Sequence, residues 1–565
     1  LINLAMGLTR LPVRTYWWVS QLGMLPGTLV YVNAGRELGQ LESLSGILSP
    51  GLLGAFVLLG VFPLIARKLL GLIQARRVYA GWTRPKRFER NLLVIGAGAG
   101  GLVSAYIAAA VKARVSLVEK HRMGGDCLNT GCVPSKALLR SAKLAHELKQ
   151  GEALGFRGVG GSVDFAAVMA RIQRVITQIE PHDSVERYSG LGVEVIQGAA
   201  TLTSPWTVEV NGQTLSARSI IIAAGARPLV PKIPGLEQVK SHTSDSIWGL
   251  REQPRWLLVL GGGPIGCELA QAFQRLGSQV IQVELAERLL PREDADASAL
   301  VLDSLRADGV DVRLQHRAER FEVVDGEQRM IARRLDTGEE LVIAFDCLLL
   351  ALGRVANVEG YGVEKLGLVV RPNGTLETDD YLATRFPNIY AVGDVTGPYQ
   401  FTHVAAHQAW YAAVNALFAG FKRFKADYRV IPAATFTSPE VARVGLSEGE
   451  ARAQNIAYEV TRYGIDDLDR AIADEVAQGF VKVLTVPGKD RILGVTIVGE
   501  HAGDLLAEYV LAMKHGLGLN QILGTIHTYP TLAEANKYAA GEWKRAHAPQ
   551  NLLRWVERFH AWRRN

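Results

Sequence analysis

The sequence predicts an α/β protein with two Rossmann-like domains, preceded by an α-helical membrane segment. Two stretches, starting at residues 92 and 256, repeat the same order of a short apolar strand, a G-x-G-x-x-G turn, a helix and a second strand that ends in Glu. A third stretch, residues 47–66, is twenty residues long and carries no charge. Because 565 residues are too many for one core, three or four domains are expected.

Residues 47–66 form the predicted transmembrane helix. At 1.5 Å per residue, twenty residues cover roughly 30 Å, the thickness of a bilayer core. Residues 1–90 hold eleven Arg or Lys and three Glu, a charge balance of +8. Because the whole chain has a net charge of +6, residues 91–565 have a net charge of −2. The basic linker, residues 76–90, predicts a cytoplasmic position for the domain that follows. A buried core helix is the alternative for residues 47–66.

The chain starts within an apolar region at Leu1, so we expect a longer natural N-terminus. Residues 16–32 are apolar but interrupted by Gly23, Pro26 and Gly27, which predicts a re-entrant or kinked element. The run at residues 10–35, RLPVRTYWWVSQLGMLPGTLVYVNAG, resembles the C-terminal part of the DedA-like (SNARE-associated) membrane proteins. That resemblance covers roughly residues 1–75 and implies integration into the inner or plasma membrane.

The first repeat predicts a dinucleotide site within residues 91–230. Gly96 allows the tight turn, Gly98 lets the backbone approach a pyrophosphate, and Gly101 lets helix and strand pack closely. Glu119 ends the second strand and can accept hydrogen bonds from ribose hydroxyls. The complete order of strand, glycines, helix, strand and acid distinguishes a nucleotide site from a chance G-x-G-x-x-G.

The second repeat predicts another nucleotide site within residues 231–352. Gly261, Gly263 and Gly266 keep the glycine spacing, and Glu284 ends the second strand. A carboxylate at this position favours an unphosphorylated ribose, so NADH is expected to be preferred over NADPH. Arg288, four residues later, leaves NADPH open. Two dinucleotide sites in one chain imply that electrons pass between two cofactors.

Cys127 and Cys132 are the candidate redox pair. The chain has only four cysteines, which does not indicate a structural disulfide framework. The Cys-x4-Cys spacing permits a bridge if the backbone bends, and a helix N-terminus with nearby Lys136 would lower the pKa of a thiol. Cys267 and Cys347 resemble buried apolar residues without a role. No further cysteine pair or histidine cluster completes four ligands, so no metal site is predicted.

The run at residues 124–136, GGDCLNTGCVPSK, closely matches the redox motif of the class I pyridine nucleotide-disulfide oxidoreductases. This family includes dihydrolipoyl dehydrogenases, glutathione reductases and mercuric reductases. The similarity spans about residues 88–545, with one departure at Asp126, where the family usually has Thr. It implies FAD in the first Rossmann-like domain, NAD(P) in the second, and a return to the FAD domain at residues 353–425. An α+β dimerisation domain is expected at residues 428–545.

The resemblance also implies roles for individual residues. Electrons would pass from NAD(P)H through FAD to the disulfide, with Cys132 facing the flavin and Cys127 exchanging with substrate. Lys136 and Glu268 match a pair beside the flavin, and Asp394 matches an acid that holds the FAD. Further contacts are expected to FAD from Gly225, Gly393 and His403, and to NAD(P) from Gly353.

The position of the family's general base holds Tyr529. In the disulfide-reducing members a His from the partner subunit stands directly before Pro-Thr-x-x-Glu, and here Glu534 matches the orienting acid. A phenol titrates near 10 and an imidazole near 6.5, and losing a general base costs roughly 10²–10⁴ in rate. His527 could replace the base only if the loop is displaced. Mercuric reductases also lack the His but use a C-terminal Cys pair, whereas this chain has no cysteine after Cys347.

These observations predict a membrane-tethered flavoenzyme that forms a homodimer with shared active sites. Its acceptor is expected to be a small disulfide or a metal ion, and no nucleic-acid partner is expected. The alternative is a membrane transport or lipid-handling protein with a regulatory redox domain. Residues 546–565 form a basic amphipathic tail, which is expected either to lie on a membrane surface or to pack on the dimerisation domain.

Overall fold

The computed structural model of the chain describes residues 13–39, 57, 61 and 77–564. The strands are β1 Arg90–Ile95, β2 Val115–Glu119, β3 Val193–Gln197, β4 Ala200–Ser204, β5 Thr207–Val210, β6 Gln213–Ile222, β7 Ala226–Pro228, β8 Ser241–Thr243, β9 Trp256–Leu260, β10 Gln279–Val283, β11 Asp311–Arg313, β12 His316–Val324, β13 Glu327–Arg334, β14 Glu340–Phe345, β15 Cys347–Leu350, β16 Arg354–Ala356, β17 Ile389–Ala391, β18 Pro432–Thr435, β19 Glu440–Gly445, β20 Glu459–Gly464, β21 Phe480–Thr485 and β22 Ile492–Gly499. The described α-helices are α1 Val13–Gly39, α2 Ala99–Ala110, α3 Gly125–Asn129, α4 Cys132–Lys149, α5 Phe165–Ile179, α6 Val185–Gly190, α7 Pro264–Leu276, α8 Ala295–Ala307, α9 Thr402–Phe418, α10 Glu448–Ala453, α11 Asp469–Ala473, α12 Ala502–His515, α13 Leu519–Gly524, α14 Glu534–Ala546 and α15 Gln550–Arg564.

The chain divides into two compact units, Leu1–Thr83 and Arg84–Asn565. In the first unit, α1 runs without interruption through the glycines and proline of residues 23–27, so the re-entrant alternative is wrong, whereas the predicted kink stays a prediction. A proline in the interior of a helix lowers its stability by about 3 kcal/mol relative to alanine. It does not end the helix when the turns on both sides remain helical. None of the helices in the described part of the chain is both long and apolar enough to cross a membrane. Apart from Val57 and Val61, the predicted span 47–66 lies outside the described residues, so it stays a prediction.

The first Rossmann-like domain is built on a seven-stranded sheet. Its strand order is β3-β2-β1-β6-β5-β4, and β17 also pairs with β6. β1, β2, β3, β6 and β17 run parallel, whereas β4 and β5 extend the first half of β6 as an antiparallel meander. β1 is an interior strand, and helices α2 and α9 pack against it, so its residues 92–95 are buried. The carboxyl ends of these strands meet at one edge, where the chain turns into α2 and the redox segment.

Arg90 begins this sheet, although the sequence placed it in the basic linker. Its Nε lies 2.8 Å from Glu194 Oε2, and its Nη1 lies 2.9 Å from Glu89 Oε2. The guanidinium is therefore buried and paired with two carboxylates, which is how a buried charge is tolerated. The predicted linker thus ends one residue earlier than the sequence indicated.

The second Rossmann-like domain repeats this architecture. Its parallel sheet has the order β11-β10-β9-β15-β8, with a three-stranded antiparallel sheet β12-β13-β14 beside it. β7 and β16 pair with each other. Because β7 follows the first sheet and β16 follows the second, this pair connects the two domains. The start of α7 therefore approaches α4 of the first domain, and the two helices pack together.

The third domain, after α9, is an antiparallel sheet of order β18-β19-β22-β21-β20. Helices α12 and α14 cover it and bury an apolar core that includes Tyr509 and Trp543. Lys482 of β21 is buried and lies 2.8 Å from Asp294, 2.8 Å from Asp296 and 3.0 Å from Glu448. This ion cluster fixes the third domain against the N-terminus of α8 in the second.

Candidate active site

A cleft of about 1260 Å³ opens at the carboxyl edge of the first sheet. Its walls come from the glycine turn after β1, the end of β2, helices α3 and α4, the end of β6, residues 392–394 and the first turns of α7 and α9. Pockets for drug-sized ligands occupy roughly 300–1,000 Å³, so this cleft is large enough for a dinucleotide.

The glycine turn after β1 fits a pyrophosphate. Gly96 has a φ of +98°, and a Cβ there would lie 2.4 Å from the Ala223 carbonyl oxygen. A Cβ on Gly101 would lie 1.8 Å from the Gly96 oxygen, so only glycine allows α2 to start this close to β1. Glu119 Oε2 accepts a hydrogen bond from Ala97 N at 2.7 Å, which holds its carboxylate beside the turn. These residues would hold the adenosine and pyrophosphate of FAD.

The second glycine turn has the same construction. Gly261 has a φ of +119°, and a Cβ on Gly266 would lie 2.1 Å from the Gly261 oxygen. Gly263 precedes the first residue of α7 and leaves open space in front of it. Glu284 accepts hydrogen bonds from the amides of Gly262 and Ala286. The chemistry of this turn therefore fits a second dinucleotide, NAD(P).

The other predicted cofactor glycines divide into two groups. Gly98, Gly225 and Gly393 line the cleft, and Gly393 N donates to Gln408 Oε1 at 2.6 Å. Gly353, with a φ of +106°, forms the turn between β15 and β16 and does not line the cleft among the described residues.

The two cysteines of the redox motif lie together on the cleft wall. Cys127 belongs to α3, and Cys132 is the first residue of α4. The Cys127 thiol donates a hydrogen bond to the Cys132 sulfur, and this bond is the main reason that the pKa of Cys132 falls to about 6. Thr402 Oγ1, 3.5 Å from Cys132 Sγ, and the charge of Lys136 lower it further, against the effect of burial. The same thiol bond raises the pKa of Cys127, so this geometry favours Cys132 over Cys127 as the sulfur that ionises.

Lys136 and Glu268 form an ion pair across the two nucleotide domains. Lys136 Nζ lies 2.8 Å from Glu268 Oε2 and 4.2 Å from the centre of the Phe436 ring. Glu268 is buried, and its second oxygen accepts from Phe436 N at 2.9 Å. The pair places one positive charge near Cys132, where it stabilises a thiolate.

Asp126, the residue that departs from the redox motif, is paired with a charge from β16, the strand that follows the second sheet. Arg354 forms an ion pair with Asp126, and its Nε lies 3.6 Å from Asp394 Oδ2. The pKa of Asp394 is raised to about 6: burial is the main cause, the negative charge of Asp126 adds to it, and Arg354 opposes both. Arg354 also donates to the Ala226 oxygen at 3.0 Å, so it connects the redox helix, β7 and residue 394.

The segment that holds the predicted base lies elsewhere on the chain. Tyr529 is 65% exposed, and its hydroxyl donates to Asp469 Oδ2 at 2.9 Å, which raises the pKa of the phenol. His527 turns inward, with Nε2 3.0 Å from Glu508 Oε1. Glu534 is buried and accepts from the amide of Thr531 at 3.3 Å. Neither Tyr529 nor His527 lines the cleft of its own chain, as far as the described residues show.

Comparison with protein families gives one clear result. Residues 90–409 match the family described as pyridine nucleotide-disulphide oxidoreductase, and residues 431–540 match the dimerisation domain of that family. The first match alone covers more than half of the chain. The chain belongs to the pyridine nucleotide-disulfide oxidoreductases. It is therefore an enzyme that uses FAD and NAD(P) and acts on sulfur groups, as the redox motif predicted.

Several members of this family resemble the chain over most of its length. A dihydrolipoyl dehydrogenase of Chlamydia muridarum is 35% identical over 453 residues, which is 79% of this chain and 94% of the relative. A mercuric reductase of Bacillus cereus is 34% identical over 452 residues, 80% of this chain and 71% of the relative. The HOCl-induced flavoprotein disulfide reductase RclA of Escherichia coli, solved as a Cu(II) complex, superposes with a TM-score of 0.72 at 27% identity. That match covers 80% of this chain and 99% of RclA.

One residue predicted to contact FAD is not among the described residues that line the cleft. His403 is the second residue of α9, and its ring points away from the cleft to the Pro432 oxygen at 2.9 Å. Successive residues on a helix point about 100° apart, so the preceding residue, Thr402, faces Cys132 instead. Thr402 and Arg354 are therefore candidate site residues that were not predicted from the sequence. The position of Thr402, one residue before His403 in the helix, could have identified it from the sequence. Arg354 meets Asp126 only in the folded chain.

Proposed function

We propose that this oxidoreductase passes electrons from NADH to the Cys127–Cys132 pair and from there to a thiophilic metal ion, such as Cu(II). Bound FAD supplies the two-electron relay between the nicotinamide and the disulfide. The chain itself holds the pair, stabilises the Cys132 thiolate and selects the acceptor. The observation that carries the proposal is the hydrogen bond from Tyr529 to Asp469, because it leaves the base position without a proton acceptor.

The proton requirements of the two acceptor classes differ. A disulfide acceptor needs a proton at its departing thiolate, which a general acid-base group normally delivers. With Cu(II), the reduced pair gives one electron to each of two ions, the sulfur–sulfur bond of Cys127 and Cys132 forms, and two Cu(I) ions and the Cys127 proton leave. That reaction only releases a proton, so a site without the base can sustain it. The names of two relatives, mercuric reductase and the Cu(II) complex of RclA, support this choice of acceptor.

NADH is the proposed reductant. The Glu284 carboxylate beside the second glycine turn would repel a 2′-phosphate. Arg288, the cation that could accept that phosphate, donates to the Pro291 oxygen at 3.3 Å.

The functional unit that we propose is a homodimer. The cleft of one chain contains no described residue after Ala405, so Tyr529 and Glu534 would reach Cys127 only from a partner chain. The match of residues 431–540 to a dimerisation domain supports this arrangement. Attachment to the inner or plasma membrane through residues 47–66, with the enzyme domain in the cytoplasm, remains a prediction. The described residues give no support to the alternative of transport or lipid handling.

The test is anaerobic NADH oxidation by the full-length holoenzyme with Cu(II), lipoamide or glutathione disulfide as acceptor. We expect turnover with Cu(II) to exceed turnover with either disulfide at least about tenfold. Tyr529→His should raise disulfide turnover by about 10–10² while leaving Cu(II) turnover unchanged, because only the disulfide needs the base. NADPH in place of NADH should lower kcat/KM at least about tenfold.

Tyr529→Phe is the matched control, since it removes the hydroxyl without adding a base, and it should change neither activity. Cys132→Ser enzyme corrects for direct reaction of NADH with Cu(II). Fast wild-type turnover with a disulfide would contradict the proposed acceptor, as would Cu(II) turnover no faster than in Cys132→Ser enzyme.

A further inference from the structure

Helix α15, the tail at the C-terminal end of the described chain, has an apolar face that its own chain does not cover. None of its residues is buried. Trp555 is 61% exposed, Trp562 73% and Leu552 54%, although aromatic side chains of this size are normally covered. The dimerisation domain of the same chain therefore does not cover the tail, contrary to one of the two arrangements expected from the sequence.

Five apolar residues lie on one side of the helix, while the exposed Leu553 lies outside this face. Leu552, Trp555, Val556, Phe559 and Trp562 follow a spacing of three or four residues, which places them on one face. The rings of Trp555 and Phe559 stack with centres 5.8 Å apart, and those of Phe559 and Trp562 lie 6.2 Å apart. The result is a continuous aromatic stripe from Trp555 to Trp562, along about two turns.

The same helix is strongly basic. It carries four arginines and one acid, Glu557, a balance of 4 − 1 = +3 from these residues; the arginines are Arg554, Arg558, Arg563 and Arg564. Within the described part of the chain, no ion pair joins any of these arginines to a carboxylate. Arg563 instead lies 5.8 Å from the centre of the Phe559 ring. The positive charge of the tail is thus available to an external anion.

We propose that α15 docks on a lipid surface that carries negative charge. Tryptophan and phenylalanine rings suit the boundary between headgroups and acyl chains, and arginine binds phosphate through paired hydrogen bonds. A second copy of the tail fits less well, because two α15 helices packed face to face would bring six net positive charges together. An anionic lipid surface would bury the aromatic stripe and pair the arginines with phosphate groups. A purely apolar partner would leave the arginines unpaired, and a positively charged partner would repel them.

This surface is separate from the redox cleft, because no residue of α15 lines that cleft. The inference therefore holds whether or not the acceptor is a metal ion. It would bring the enzyme domain to an anionic membrane at a point far along the chain from residues 47–66. The tail alone would bind reversibly, as interfacial helices of this length do.

The test measures amide hydrogen exchange of residues 550–564 in the full-length holoenzyme, with phosphatidylcholine vesicles and with vesicles containing phosphatidylglycerol. We expect exchange in the tail to slow at least about tenfold with the anionic vesicles and to change little with the neutral ones. Because this readout is local to the tail, binding of the N-terminal region to the same vesicles does not affect it. Residues 480–485 of the sheet core serve as the internal reference.

Two variants and one control separate the contribution of the aromatic rings to lipid binding from that of the arginines. Trp555→Ser with Trp562→Ser should abolish the protection, and Arg554→Gln with Arg558→Gln should weaken binding about fivefold per charge removed. Glu557→Gln alters the same helix without removing an aromatic ring or an arginine, so it should keep or strengthen the protection. Equal protection with neutral and anionic vesicles, as contact with a protein surface would give, overturns the proposal. Absence of protection with both vesicles overturns it as well.

Discussion

The redox segment, residues 124–136, and the base segment, residues 525–534, contribute the two chemical halves of an active site in this family. Several polar groups surround the Cys132 sulfur of the redox segment. The Cys127 thiol and the Lys136 charge from this segment, together with the Thr402 hydroxyl of α9, all stabilise its thiolate form. In the base segment, the side chains of His527, Tyr529 and Glu534 are each hydrogen-bonded to a neighbour within their own domain. The first half is assembled for electron entry, whereas the second does not offer a proton acceptor.

The contacts of the base segment explain this difference. Tyr529 donates to Asp469, and His527 bonds Glu508, which also accepts from Asn536 at 2.9 Å. To act as a base, His527 would have to leave a buried position and give up its carboxylate partner. The rescue of the missing base by His527 therefore has no support in this arrangement. The described residues thus keep the cysteine pair and the charges beside it, whereas Tyr529 and His527 are both engaged in other contacts.

Loss of the inner sulfur should give the largest effect. Cys132→Ser removes the thiolate of the reduced pair, so we expect NADH-driven acceptor reduction to fall at least about 10³-fold. The NADH-reduced enzyme should also lose the long-wavelength absorbance that a thiolate beside a flavin produces. Cys127→Ser should lose turnover but keep that absorbance, and Cys347→Ala in the second sheet should keep both. Unchanged absorbance in Cys132→Ser enzyme would show that the two sulfurs have the opposite roles.

Much of the redox segment could be predicted because its chemistry is local in the sequence. Gly96, Gly101 and the cysteine pair have backbone requirements that a short motif records, and the structure places them as the motif indicates. The ion pair of Arg354 with Asp126 joins residues 228 positions apart, so no local pattern contains it. The Asp469 and Glu508 partners of the base segment were missed for the same reason. Spacing predicts which residues share a turn, but not which distant acid binds them.

A smaller effect should follow from removing the charge beside the thiolate. The positive charge of Lys136 lowers the pKa of Cys132, so Lys136→Met should raise it from about 6 towards 7. The thiolate fraction would then fall about tenfold at pH 5 but only about twofold at pH 7. Above both pKa values the variant and the wild type should converge, because Cys132 is ionised in each.

The midpoint of the long-wavelength absorbance of the reduced holoenzyme, followed against pH, measures this shift. Lys136→Met with Glu268→Gln is the matched variant, because it also removes the buried carboxylate that opposes the lysine. Its midpoint should lie between those of the wild type and Lys136→Met. A midpoint that stays near 6 in all three proteins would show that the thiol bond from Cys127 alone sets the pKa.

The smallest effect should come from the partner of the tyrosine in the base segment. Asp469→Asn weakens the hydrogen bond that holds Tyr529, yet the proposed metal reduction does not use the phenol, so Cu(II) turnover should change less than about twofold. In the Tyr529→His background the same carboxylate would lie beside an imidazole and stabilise its protonated form. There, Asp469→Asn should lower disulfide turnover about threefold, a coupling typical of neighbouring polar residues. Equal effects of Asp469→Asn in both backgrounds would mean that the carboxylate acts on the fold of the segment and not on the introduced base.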